Sequence, residues 1–292
     1  MVDTHEMSRE LDDLRESLRG GRNADGGWGY RRGKATRLEP TCWSLLALGD
    51  RKAAAGVLRD WPSADSLLLE HRDGTPNYGF HGLALVTMQA MQIEPAAGTS
   101  AMLQAMQRVK GAKLKPSALF KQDNSLQGWS WIEGTFSWVE PTAWCLLALK
   151  QLARVPGMPV ERARIDEADR LLVDRCCAGG GWNYGNANAF DQELKAFVPT
   201  TGIALLALHD RASEPAVQRS VAFLEQQATS ERSGVSLSLA LLALTAFKRP
   251  AAADARAALI AQIPTTAAFG NQMAAAMALY ALEDTGYAAL VV

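Results

Sequence analysis

The sequence predicts an all-α fold, an α/α toroid of about six helix hairpins spanning residues 1–292 as one domain. Three observations predict it: a phrase that returns along the chain, two alternating kinds of apolar pattern, and proline and glycine at matching places in each copy. The phrase is a glycine and aromatic cluster, a polar spacer, then a helix that opens on Pro-Thr and runs into LLAL. Its clear copies are GGWGY (26–30) with EPTCWSLLAL (39–48), GWSW (128–131) with EPTAWCLLAL (140–149), and GGWNY (180–184) with VPTTGIALLAL (198–208). Shorter, decayed copies occupy 77–91, 233–244 and 265–282. Trp43 and Trp144 hold the same place in the phrase and stand two units of about fifty residues apart, so six units fill the chain.

Each unit begins with a second helix ahead of its glycine cluster. These helices are expected at 7–19, 53–72 with a kink near Pro62, 101–110, 160–176, 214–227 and 251–263. They are charged, with apolar residues at three- and four-residue spacing such as Leu11, Leu14 and Leu18, which marks one buried stripe. The LLAL helices are apolar nearly all round, which marks burial on both sides. Two concentric rings follow, apolar helices inside and amphipathic helices outside. Pro40, Pro141 and Pro199 sit in the first turn of inner helices, where a missing N–H costs nothing. The glycines ahead of Trp28, Trp129 and Trp182 permit positive φ in the turn leaving each outer helix.

Composition excludes several classes. Hydrophobic residues make up 48% and charged residues 21%, ordinary globular values that argue against long disorder. A net charge of -1 gives no general attraction to nucleic acid or to an anionic membrane. The N-terminal segment is charged and amphipathic rather than signal-like, and no stretch reaches the roughly 18 apolar residues of a membrane span, so a cytoplasmic protein is expected. Cys42, Cys145, Cys176 and Cys177 form no CxxC pair and are expected to be reduced.

NADGGWGY (23–30) followed by EPTCWSLLAL resembles the repeat shared by squalene-hopene cyclases, plant-type class II diterpene cyclases and the β subunits of protein prenyltransferases. FLEQQATSERSG (223–234) resembles the cyclases' QW signature, with Gln226 or Gln227 in the glutamine place and Val235 replacing the final tryptophan. The resemblance covers essentially the whole chain. It implies the toroid and an apolar, isoprenoid substrate held in a central cavity. In the cyclases an acidic DxDD motif protonates an alkene or epoxide, and aromatic faces stabilise the carbocation. This sequence has no DxDD; Glu39 and Glu140 fall at the motif's third position, with Pro40 and Pro141 in place of the final aspartate. Prenyltransferases hold Zn2+ through Asp, Cys and His and need an α subunit. Asp191, Cys176 or Cys177, and His209 have those chemistries here but lie outside the family's motif.

The candidate acids are therefore Glu39 and Glu140, which would alternatively be favourable charges at helix N-termini, and Asp191, which with Glu193 would serve acid/base work or Mg2+-diphosphate binding, or form an exposed charged loop. Candidate substrate contacts are Trp43 and Trp144, one turn into inner helices, His81 at the start of another, and Tyr30, Trp131 and Tyr184 in the aromatic loops. For His81 the alternative is a capping or core histidine; for the loop aromatics it is packing of spacers. Trp28, Trp129 and Trp182 read as wedges between hairpins. The expected function is terpenoid-cyclase-like, with no cofactor and an apolar small-molecule partner, and Zn2+ or Mg2+ as the alternative. Its rivals are a non-catalytic toroid binding a hydrophobic ligand or a partner protein, a zinc prenyltransferase-like enzyme, and a polysaccharide-lyase-like cleft to which Asn183, Tyr184 and Asn186 point.

Overall fold

The computed structural model describes residues 4–116, 121–283 and 286–291. Its inner helices are α2 (Leu38–Leu48), α4 (His81–Met91), α6 (Val139–Leu152), α8 (Val198–Ala207), α10 (Gly234–Ala246) and α13 (Gln272–Leu282). Ahead of them in turn come the outer helices α1 (Thr4–Gly20), α3 (Arg51–Leu58), α5 (Thr99–Arg108), α7 (Arg162–Asp174), α9 (Pro215–Gln227) and α11 (Ala252–Ala261), with a short α12 (Ile263–Phe269) leading into α13. The inner helices contact one another in chain order, and α13 returns to α2, which closes the ring. This is the α/α toroid that the repeats predict. No helix among the described residues is long and apolar enough to cross a membrane.

The inner helices all run the same way. Their N-termini and the long loops that feed them share one end, the mouth. At the other end a 3-10 turn, Gly286–Leu290, packs against α4, α10 and α13, and Gln151 on α6 donates to the carbonyls of Ala289 and Val291 at 2.9 and 3.1 Å. Leu290 is fully buried there and closes the base of the ring.

The repeated phrase has a concrete task. The indole N–H groups of Trp28, Trp129 and Trp182 donate to outer-helix carbonyls of Leu18, Met106 and Leu172 at 2.7, 2.8 and 2.6 Å. Their backbone N–H groups donate to the hydroxyls of Thr41, Thr142 and Thr201 on inner helices at 3.0, 3.0 and 2.9 Å. Each tryptophan thus pins an outer helix to an inner one. The glycine before it is required by close approach: a Cβ at Gly27, Gly128 or Gly181 would lie 2.9, 2.2 or 2.8 Å from that threonine oxygen. In the third copy the equivalent residue is Thr201, not Thr200, so Pro199 falls where the other copies have Glu39 and Glu140.

Three segments differ from expectation. The helix over 53–72 ends at Leu58, and after Pro62 the chain forms a small hairpin, β1 (Ser63–Ala64) with β2 (Leu67–Leu68), turned by Asp65 and Ser66 at positive φ. The spacer before α8 likewise holds a hairpin, β3 (Asn188–Ala189) with β4 (Gln192–Glu193). The last copy is broken in two at Gly270, whose φ of 62° ends α12, and Asn271 caps α13 through the Ala274 N–H at 3.2 Å.

Candidate active site at the mouth

Glu39 and Glu140 are the second residues of α2 and α6, and Trp43 and Trp144 follow each of them by four residues. That spacing puts each carboxyl on the same helix face as its tryptophan, one turn nearer the mouth. Trp43 and Trp144 meet edge to face with ring centroids 5.7 Å apart, although α4 stands between their helices in the ring. They therefore meet across the central hollow. Tyr280 of α13 joins them, 5.9 Å from Trp43, and the three rings form a buried aromatic layer beneath the carboxyls.

Burial dominates the electrostatics of the pair. A carboxylate in a helix's first turn is favoured by a few tenths to about 1 kcal/mol. Desolvation outweighs this and pushes Glu39 up to about 8; the hydroxyl of Tyr30, which donates to Glu39 Oε2 at 2.6 Å, opposes the shift, while the nearby charges of Glu140 and Glu70 add to it. Burial likewise pushes Glu140 up to about 7, against the pull of the Trp144 indole one turn along. Near neutral pH the site therefore holds at least one protonated carboxyl above an aromatic floor. Glu70, on the loop before α4, completes the cluster: it accepts a hydrogen bond from Asn77, lies 3.8 Å from Arg37, and is itself raised by burial.

The loops are fixed to the helices they surround. The first N–H groups of α2, α6 and α13 donate to the carbonyls of Glu70, Tyr184 and Tyr30 at 3.0, 3.0 and 2.8 Å, so each of these loops caps the inner helix beside it. Tyr184 lies exposed on the rim, packed against Trp138 and Phe197 at 6.4 and 5.2 Å between centroids. Trp131 meets Phe80 edge to face at 5.0 Å between centroids, at the entrance to α4. Beside Tyr184, a cavity of about 770 Å³ opens between the β3–β4 loop and the starts of α8 and α10, lined by Leu194, Phe197, Phe223 and Ser236 among others.

Other candidates lie elsewhere. The His81 ring is buried between α4 and the outer layer, where Nδ1 accepts from the Leu68 N–H at 3.2 Å, and burial lowers its pKa to about 4, so it is a neutral core histidine. Asp191 occupies the tip of the β3–β4 hairpin at positive φ, with its exposed side chain 3.6 Å from Lys121. Glu193 is exposed on the same hairpin. His209 follows the C-terminal end of α8, the end of the ring opposite Asp191, and bonds the Ala246 carbonyl at 3.1 Å, so Asp191 and His209 do not meet in one site. All four cysteines are free. Among the described residues no group of three or more His, Cys, Asp or Glu side chains is placed to hold a metal ion. Sequence reasoning missed Tyr280 and Glu70. Tyr280 was open to discovery, because setting the last decayed copy against the clear ones places it in an inner helix; Glu70 sits in a segment read as helix.

No protein-family model matches this chain, and no curated protein matches it. Among solved structures it is similar to the type II terpene cyclase MstE from Scytonema. With an aspartate-to-alanine variant of that enzyme in complex with its product merosterolic acid A, the TM-score is 0.61 at 12% identity over 97% of both chains. With the apo enzyme the TM-score is 0.57 at 15% identity, over 90% of this chain and 79% of the other. The likeness is one of fold, and the chain has the all-α architecture of a type II terpene cyclase.

Proposed function

We propose that this protein is a terpenoid-cyclase-like enzyme in which Glu39 is the general acid and the faces of Trp43 and Trp144 stabilise the cation that results. The observation that carries this reading is the placement of two carboxyls, both raised by burial, each one turn from a tryptophan of a meeting pair at the open end of a closed apolar ring. The raised pKa also selects the substrate. A carboxyl that keeps its proton to about pH 8 is a weak donor, better matched to the basic oxygen of an epoxide than to an unactivated alkene. Proton transfer from Glu39 to the epoxide oxygen breaks a C–O bond, the π electrons of a neighbouring alkene form the new C–C bond, and the final cation returns a proton to a site carboxylate. The product is a cyclic alcohol isomeric with the substrate, and no cofactor enters the balance. Asp191, exposed and paired with Lys121, has no part in this scheme.

The experiment is incubation with epoxyfarnesol and epoxysqualene beside their parent alkenes, with products read by gas chromatography and mass spectrometry. Cyclic alcohols from the epoxides are expected, with Glu39→Gln reducing their rate by about 10²-fold or more. Undiminished turnover by that variant would refute the assignment of the acid.

The aromatic layer favours a second reading. Trp43, Trp144 and Tyr280 are fully or almost fully buried and occupy the hollow themselves, while Tyr30, Ile132, Tyr184, Phe190, Leu194 and Phe197 are exposed on the loops of the mouth. A non-catalytic toroid would bind an apolar ligand or a partner protein at that rim. Binding of the same isoprenoids without any new product would favour it.

A further inference from the structure

We infer that Tyr30 is a positioning residue, a donor that the closing seam of the ring holds against Glu39 so that the acid's proton resides on the other carboxyl oxygen. The geometry has two parts. The Tyr30 hydroxyl donates to Glu39 Oε2 at 2.6 Å. A neutral carboxyl has one acceptor oxygen and one O–H, so a donor on Oε2 leaves Oε1 as the oxygen that carries and delivers the proton. The second part is how Tyr30 is held. Its carbonyl accepts from the Gln272 N–H at 2.8 Å, the preceding Gly29 carbonyl accepts from Gln272 Nε2 at 3.0 Å, and the following Arg31 pairs with Asn271 in an antiparallel bridge. These bonds join the first repeat to the last. They fix the backbone from which the Tyr30 side chain reaches Glu39.

The groups that face Glu39 are Tyr30 from its own loop, Glu140 from α6 and Glu70 from the loop before α4, with Arg37 beside Glu70 at the start of α2. Of these only Tyr30 donates a hydrogen bond to it, and a donor favours the ionised form. The role in catalysis rests on the acid reading of Glu39, but the contact can be tested without turnover.

The test is a carbon-13 titration of the glutamate carboxyls in the intact protein, with Glu39 assigned by its loss in Glu39→Gln. In Tyr30→Phe the Glu39 midpoint is expected to rise by roughly one pH unit while Glu140 stays in place. Gln272→Ala, which removes the Nε2 bond to Gly29 but keeps the backbone links of the seam and the hydroxyl, is expected to move Glu39 in the same direction by less. An unchanged Glu39 midpoint in Tyr30→Phe overturns the inference, since a merely structural tyrosine would lower the melting temperature and leave the titration alone. Because no product is measured, failure here is distinct from failure of the cyclase reading, which the epoxide assay decides. Where turnover is found, the alkaline limb of its pH profile is expected to shift upward in Tyr30→Phe.

Discussion

A buried carboxyl that keeps its proton to pH 7 or 8 costs the fold little at pH 4.5 and more at pH 8. In the unfolded chain Glu39 and Glu140 ionise near the ordinary 4.5; in the ring they wait until about 8 and about 7. Their contribution is therefore fully present below pH 4.5 and is lost as pH rises through the folded values. Glutamine keeps the shape, accepts the Tyr30 hydroxyl and has no charge to desolvate. Glu39→Gln and Glu140→Gln are accordingly expected to gain about 1–2 kcal/mol each at pH 8, after discounting for the open mouth, and little at pH 4.5. Thermal melts at the two pH values check this, and variants less stable than the parent at pH 8 would show that burial does not raise the two carboxyls. Their place in the repeat and the resemblance to the cyclases marked these two glutamates, and each goes with its tryptophan because residues four apart on a helix share a face wherever the helix sits. The orientation of His81 was not legible: the same helix start faces the hollow or the outer layer according to packing, and the Leu68 N–H that fixes it comes from a hairpin with no repeat signature.

At the scale of elements, the inner helices approach one another where small residues allow it. A close approach lies at Gly82 on α4, where a Cβ would stand 2.4 Å from the Trp144 carbonyl carbon and 2.5 Å from the Cys145 nitrogen. Both are backbone atoms that no rotamer change can move. Gly82→Ala must push α4 from α6 and is expected to cost about 1–3 kcal/mol in chemical denaturation, with unchanged stability refuting the contact. Thr142→Val tests the threonine that recurs in the repeat. It keeps the volume but leaves the buried Trp129 N–H without its acceptor at 3.0 Å, an expected loss of about 1–3 kcal/mol by the same measurement. A loss under a few tenths would mean that the threonine only fills space. The phrase was readable because it is local: glycine, tryptophan and threonine lie within about 20 residues and perform the same task three times. The stretch after Pro62 was misread because its two-residue strands are too short to show a period, and leucines at 67–69 continue a helical count across the turn.

At the scale of the whole molecule, the decisive feature is that the repeats close. The number of units was legible, but the seam was not, since Gly29 and Gln272 are 243 residues apart and nothing in the repeated phrase says that its first and last copies meet. A closed ring and an open stack of hairpins differ in what the last repeat does. In an open stack, stability is close to a sum over units and their neighbours, and removing a terminal unit leaves the rest folded. In the ring, α13 packs on both α10 and α2, carries Tyr280 to the aromatic layer and anchors Tyr30. Met277, Leu279 and Leu282 are buried in that helix, and three such side chains represent roughly 5–9 kcal/mol of transfer energy against a typical domain stability of about 5–15 kcal/mol. Their loss also uncovers the facing sides of α2 and α10. A chain ending at Pro250 is therefore expected to lose its cooperative thermal transition in far-ultraviolet circular dichroism, rather than to melt as a slightly weaker toroid. If that chain melted cooperatively within a few degrees of the full chain, closure would not be what stabilises the inner ring, and the seam would lose its claim to hold Tyr30 against Glu39.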